Sequence, residues 1–316
     1  MFDDLRSIFK KGTSGARPGQ SGSFHGDFSS PGSGSGPNTK IIVVVNQKGG
    51  CGKTTTCINL SAGLAKKNLR VLVVDLDPQA HSSLGLGIDV YGLSASIYDV
   101  LVKSKELDQV ILPTYLEHLD IAPSTSLLTG AQLEIADLLG RESLLRTSIW
   151  RMLNTNVRQY DYVIMDCSPS LNLITINGLV AAQSVLVPIQ AHYFSLEGMR
   201  ELLSTIKTVK ERINAELDVL GILPTIFDSR TRMSREVLLQ LREYFKEKLL
   251  KSIIRMNIKL ADASAHGRAI FDYDPYSNGA KDYSFLVNEI ISLTRPELAA
   301  PMPEGSAVLE IQEENG

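Results

Sequence analysis

The sequence predicts an α/β fold, a doubly wound, mostly parallel sheet flanked by helices, and three observations carry the prediction. Apolar runs without polar alternation recur at residues 41–45, 70–76, 160–165 and 184–190, the pattern of strands buried on both faces. Between them lie segments long enough for the crossover helices that parallel strands require. Acids close two of the runs, Asp75 and Asp77 after the second and Asp166 after the third. The carboxyl ends of parallel strands form the ligand crevice of such a sheet, so these acids should converge there.

Taken in order, residues 41–45 form the first strand, and Lys48-Gly49-Gly50-Cys51-Gly52-Lys53-Thr54-Thr55 leads from it into a helix that ends near residues 66–68. Glycines at a strand-to-helix turn mark an anion site, because the helix N-terminus presents unpaired N–H groups and a positive dipole end. Gly49, Gly50 and Gly52 bring no side chain between those amides and a polyphosphate. Lys53 supplies a point charge to the terminal phosphates, and the Thr54 hydroxyl is placed to ligate Mg²⁺. Cys51 serves through its amide. The loop departs from the usual G-x-x-x-x-G-K-[ST] pattern: Gln47 stands where its first glycine belongs, and Lys48 adds a second lysine.

Residues 70–79 form a second buried strand ending in Asp-Leu-Asp-Pro-Gln. A short helix is expected over residues 93–101, a strand over 118–122, and helices over 127–139 and 144–158. Residues 160–166 make the next strand, with Asp166 as its terminal acid. The strand at 184–190 precedes a helix reaching residue 213, then come a strand at 219–225 and a helix to about residue 250. Short segments at 252–255 and 269–271 and a last helix at 283–294 complete the alternation.

One core with two tails accounts for the 316 residues: a tail at 1–39, a domain at 40–295 and an acidic tail at 296–316. Residues 12–38 are dominated by Gly, Ser and Pro, a composition that buries too little to offset ordering, and should form a linker with a reach of roughly 30 Å. Ahead of it Phe2, Leu5, Ile8 and Phe9 fall on one side of a potential amphipathic helix. No apolar stretch approaches the ~20 residues that span a bilayer, and no signal peptide is evident, so a cytoplasmic location is expected. The three cysteines show neither disulfide nor zinc spacing. With a net charge of -3, any basic footprint must be local.

The loop K-G-G-C-G-K-T-T resembles the deviant Walker A loop of the ParA/MinD class of P-loop NTPases, and ParA-type (Soj-like) partition ATPases in particular. The resemblance spans residues 40–294 and includes D-L-D-P-Q at 75–79, the Asp166 strand, Y-F-S-L-E-G at 193–198, F-D-S-R-T-R-M-S-R-E-V at 227–237 and D-Y-D-P-Y-S-N-G-A at 272–280. It implies ATP as nucleotide, with Mg²⁺ held by Thr54, Asp75 and Asp166. Lys48, Gly49, Gly50, Cys51, Gly52, Lys53, Thr54, Thr55 and Asn257 would bind the nucleotide. Lys48, Lys53 and Asp77 would act in hydrolysis, Lys48 by reaching a partner subunit's nucleotide and Asp77 by positioning water. The segment 254–267 matches one that touches the nucleotide base in relatives, although Asp262-Ala263-Ser264-Ala265 replaces their E-A-P-S. The resemblance further implies an ATP-bound homodimer, non-specific double-stranded DNA as a nucleoid ligand contacted by Lys207, Arg230, Arg232 and Arg235, and a ParB-like or other activating protein. A membrane is not an expected partner. The alternatives are a MinD-like membrane-associated ATPase, which would need a basic amphipathic C-terminus where this chain is acidic, and a regulator that places flagella or chemoreceptors.

Overall fold

The computed structural model describes residues 38–155, 158–191 and 198–299. The N-terminal amphipathic segment, nearly all of its linker, residues 193–197 of the Y-F-S-L-E-G motif and the tail from residue 300 lie outside the described residues.

Among the described residues seven strands form one sheet: β1 (Lys40–Val44), β2 (Val71–Leu76), β3 (Leu112–Pro113), β4 (Leu119–Ala122), β5 (Tyr162–Cys167), β6 (Ser184–Gln190) and β7 (Asp218–Thr225), in the order β3-β4-β2-β5-β1-β6-β7. Every neighbouring pair is parallel except β3 with β4. The antiparallel pair occupies the edge, where Pro113 costs no ladder hydrogen bond.

The uninterrupted apolar runs bury both faces, as a central parallel strand must. Along β1, Val43 and Val45 face one core and Ile42 and Val44 the other; β2 and β5 divide their side chains the same way. One layer contains α1 (Lys53–Ala65), α2 (His81–Gly85), α9 (Ile258–Ala265), α10 (Ile270–Tyr273) and α11 (Asn278–Thr294). The opposite layer contains α3 (Ile97–Val102), α4 (Leu128–Glu134), α5 (Leu144–Asn154), α6 (Leu173–Ala181), α7 (Met199–Arg212) and α8 (Arg232–Phe245). A third, smaller cluster joins Phe227, Leu238 and Ile253 beyond the end of β7.

The helix α6, which sequence periodicity does not pick out, is apolar on nearly every side and lies buried. Its legible signal is the cap: the Asn172 carboxamide oxygen accepts from the N–H groups of Ile174 and Thr175. The segment 252–255 and the residues just ahead of it run beside β7 and its continuation through isolated parallel bridges, Ile222 with Leu249 and Phe227 with Arg255, instead of a full ladder. Ala269 caps α10, so the segment 269–271 opens a helical turn.

The ends of the described chain meet. Thr39 donates to the Tyr160 carbonyl, while the Arg295 guanidinium donates to the carbonyl of Asn38 and forms an ion pair with Asp161 at 3.4 Å. Beyond residue 295 the chain continues into a turn at Pro296–Leu298. Among the described residues no helix is long and apolar enough to cross a membrane.

Candidate active site

The register of the sheet assembles the site. Val44 on β1 pairs with Asp166 on β5, and Asp166 pairs in turn with Asp75 on β2. The glycine-rich loop after β1 therefore emerges beside two carboxylates at the carboxyl edge, where the strand order reverses around β1.

Within that loop Gly50 and Gly52 take left-handed conformations, with φ of 69° and 87°. A side chain at either position would be strained, so the residue type follows from the turn. Gly52 caps α1 without a side chain, which leaves the helix's first amides to a ligand. The loop is fastened at several points. The Thr225 hydroxyl at the end of β7 donates to the Cys51 carbonyl at 2.8 Å. Asn46 donates to the Pro188 carbonyl and accepts from the Lys48 amide.

The Lys53 side chain is largely buried, and its ammonium donates to the Lys48 carbonyl at 3.1 Å. With that carbonyl as its one hydrogen-bond partner among the described residues, the buried ammonium is poised for an anion, because one neutral bond does not offset the cost of removing the charge from water. Burial raises the Cys51 thiol against the opposing pull of Lys53, and Cys57 and Cys167 are raised by burial as well. All three cysteines are free and buried, so none is an activated thiolate.

The carboxylates separate by their partners. Asp75 is fully engaged: one oxygen accepts from the Asp77 amide, and the other from the Ser83 amide and hydroxyl at 2.9 and 2.7 Å. Asp166 accepts from the Ser82 hydroxyl at 2.7 Å through one oxygen, while its Oδ1 is buried and has no partner among the described residues. Burial pushes both acids upward, and in Asp75 the nearby Asp166 adds to the effect. An unpartnered buried carboxylate oxygen is costly unless a cation completes it. With Lys53 and the Thr54 hydroxyl near it, both drawing its pKa down against burial, the donor set fits a hard, oxygen-preferring ion such as Mg²⁺. Asp166, more than Asp75, presents the oxygen for it.

A cavity of about 620 Å³ opens over these groups, lined by Gly49, Gly50, Gly52, Lys53, Thr54, Thr55, Asp77 and, from the opposite end of the sequence, Ile254, Arg255, Met256, Asn257 and Tyr283. The structure thus brings together most of the candidate nucleotide residues, including Asn257, whose side chain caps α9 by accepting from the Lys259 amide. Asp77 reaches the cavity on a turn fixed by the Gln79 amide, which donates to its carboxylate at 3.0 Å. Sequence reasoning did not single out Ser82, Ser83, Thr225 or Tyr283. The first two follow D-L-D-P-Q within one helical turn, a spacing that returns their hydroxyls to the acids.

The candidate DNA residues lie apart from the cavity lining. Lys207 on α7 and Arg232 and Arg235 on α8 are exposed on helices that pack into the same core layer, and Arg230 stands just ahead of α8. Three have acidic neighbours: Lys207 with Glu211 at 3.9 Å, Arg230 with Asp228 at 2.8 Å and Arg232 with Glu236 at 2.7 Å. The fork of Arg230 holds the Asp228 carboxyl down at about 2.

A family model described as an AAA domain matches residues 39–219. Sporulation initiation inhibitor protein Soj of Bacillus subtilis is 42% identical over 251 residues, covering 79% of this chain and 98% of that protein. Chromosome partitioning protein ParA of Myxococcus xanthus is 41% identical over 258 residues, covering 82% of this chain and 90% of its own. Among solved structures, cobyrinic acid a,c-diamide synthase of Mycobacterium smegmatis with bound ADP and magnesium superposes with a TM-score of 0.72 at 32% identity, over 84% of this chain and 99% of that one. A glycine loop, a buried lysine and strand-end carboxylates around one cavity, in a chain so similar to these proteins over most of its length, place it in the Soj/ParA family of chromosome-partitioning ATPases.

Proposed function

We infer that the protein is a Mg-ATP-dependent dimerisation switch that binds DNA without sequence preference as the ATP dimer and is released by partner-stimulated hydrolysis. The observation that carries this reading is that the glycine loop, Lys53 and Asp77 line one cavity, while Asp166, on the strand beside the loop, keeps a buried oxygen open.

The amides of Gly49 to Thr55 would cradle the phosphates. Lys53, held in place by the Lys48 carbonyl, would exchange that neutral partner for terminal phosphate oxygens. Asp166 and Thr54 would hold Mg²⁺, with Asp75 bracing the turn that follows. When bound, the ion supplies charge neutralisation on the phosphates. Asp77, fixed by the Gln79 amide, would orient the attacking water. Asp77 would only orient the water, and none of the groups assigned to the phosphate end would take its proton, so turnover should be slow without an activator. Lys48 would reach the nucleotide of a second copy, which makes the closed dimer depend on ATP. Lys207, Arg230, Arg232 and Arg235 would meet DNA phosphates, and the nucleoid would thereby become the substrate for positioning a cargo.

Asp77→Ala tests the switch, because closure should need phosphate contacts while turnover needs an oriented water. The expected outcome is a persistent ATP-dependent dimer by light scattering, retention on unrelated DNA fragments and little phosphate release. An Asp77→Ala protein that stays monomeric with ATP, or hydrolyses at the parental rate, refutes the assignment.

A further inference from the structure

Two buried carboxylates that the phosphate chemistry does not use project from α11. Asp282 and Glu289 are 4% and 7% exposed and seven residues apart, two turns along one helix face. Both grip the segment that follows β7. Glu289 accepts from the Lys251 amide and the Ser252 amide, each at 2.8 Å, and from the Ser252 hydroxyl. Asp282 accepts from the Arg255 amide at 2.9 Å and from its guanidinium, through Nε at 3.0 and 3.1 Å and Nη2 at 2.5 Å. These are charge-assisted bonds, and the guanidinium contact is bidentate, the geometry that fixes direction as well as distance.

The segment so held is a wall of the cavity. Ile254, Arg255, Met256 and Asn257 line it, and three backbone bonds tie the segment to the end of β7 and the residues after it: the Ile254 amide donates to the Pro224 carbonyl, the Phe227 amide to the Ile254 carbonyl and the Met256 amide to the Phe227 carbonyl, while among the described residues the Asn257 and Arg255 amides make no bond to the sheet. The same helix also reaches the phosphate side. Tyr283, the residue after Asp282, lines the cavity and shares a hydrogen bond of 3.2 Å with Thr56 on α1. The glycine loop and Lys53 line one part of this cavity and the wall at 254–257, from another region of the chain, lines a second part, so a nucleotide with its phosphates on the loop would turn its sugar and base toward that wall.

We propose that Asp282 is a positioning residue for the nucleoside part of ATP: it holds Arg255 and the backbone of the 254–257 wall at a fixed distance from the phosphate loop, with Glu289 anchoring the start of that segment. The proposal rests on the ATPase reading and adds the α11 carboxylate that sets nucleotide fit. Asp282 touches no reacting atom. Its loss should therefore appear in nucleoside binding and not in the chemical step.

The test compares ATP with inorganic tripolyphosphate, which carries the phosphates and no nucleoside. Calorimetry and steady-state kinetics are run on the full chain and on Asp282→Ala, Asp282→Asn and the double variant Arg255→Met with Asp282→Leu. The double variant removes both charges, so that no buried ion is left unpaired if Asp282→Ala folds poorly. Expected is a weakening of ATP binding and a rise in KM of about tenfold in Asp282→Ala and the double variant. Tripolyphosphate affinity and kcat should stay within about twofold, and Asp282→Asn, which keeps an acceptor for the Arg255 amide, should be milder. Parental ATP affinity in the double variant overturns the proposal, as does an equal loss for ATP and tripolyphosphate. If the unaltered chain binds neither, the ATPase reading fails along with it; if it binds both and only the variants' pattern is wrong, that reading stands.

Discussion

Lys53 and Lys48 sit five residues apart and touch through one hydrogen bond, yet their substitutions should separate. Lys53 is largely buried at the cavity and forms no ion pair among the described residues, so Lys53→Ala should abolish detectable nucleotide binding by calorimetry. Lys48 offers its carbonyl to this chain, and truncating its side chain leaves that carbonyl in place. Lys48→Ala should bind ATP with near-parental affinity and fail to form the ATP dimer on a sizing column. Normal ATP binding by the Lys53 variant, or full dimerisation by the Lys48 variant, contradicts this division. That the glycine loop, Asp77 and Asp166 would converge at the carboxyl edge of the sheet was legible in the sequence, because strand-end acids and a glycine turn announce a crevice before any coordinate is known. The unequal standing of Asp75 and Asp166 was not. It depends on Ser83 saturating one acid while Ser82 covers only half of the other, a distinction made by where two adjacent hydroxyls point.

At the scale of elements, the central strands read clearly and the helices around residues 173–181 and 258–265 did not. Periodicity fails for α6 because a helix buried all round has no polar face; its Asn172 cap was the available signal. For α9 the corresponding signal was Asn257. The segment after β7 was harder to read, since its partners Asp282 and Glu289 lie 27 and 37 residues onward and no local pattern announces a carboxylate that caps a distant backbone. Glu289 is the part of that arrangement farther along α11 from the cavity side chains, and its role should be one of stability. Glu289→Ala leaves the Lys251 and Ser252 amides and the Ser252 hydroxyl without their acceptor. Three orphaned donors at a buried site should cost about 2–4 kcal/mol. Chemical denaturation of the nucleotide-free protein measures it, and a change below about 0.5 kcal/mol would show that the segment is held by the sheet bridges alone.

At the scale of the whole molecule, the doubly wound sheet places its phosphate crevice at the carboxyl edge and lets α7 and α8 carry positive charge on one outer layer. Local pairing tempers that charge. With Lys207, Arg230 and Arg232 each beside an acid, one protomer offers DNA only a weak field, and a net charge of -3 gives no general attraction. Exposed pairs of this kind contribute little and are readily exchanged, so phosphates can replace Asp228, Glu211 and Glu236 when enough contacts form together. Doubling the set in the proposed ATP dimer would supply that number, and binding should therefore be nucleotide-dependent and steeply salt-dependent, the slope of log affinity against log salt falling as roughly 0.9 per phosphate contacted. Lys207→Glu combined with Arg230→Glu should weaken binding to unrelated sequences uniformly, flatten the slope and leave ATP-dependent dimerisation intact. Filter retention across a salt series, with scattering run in parallel, measures both. Because Arg230 must release Asp228 before it can meet a phosphate, Asp228→Asn should act in the opposite sense and strengthen DNA binding. If both charge reversals leave the slope unchanged, or if DNA binds equally well without nucleotide, the basic layer of α7 and α8 is a solvated surface and the coupling between the crevice and DNA must run through another face.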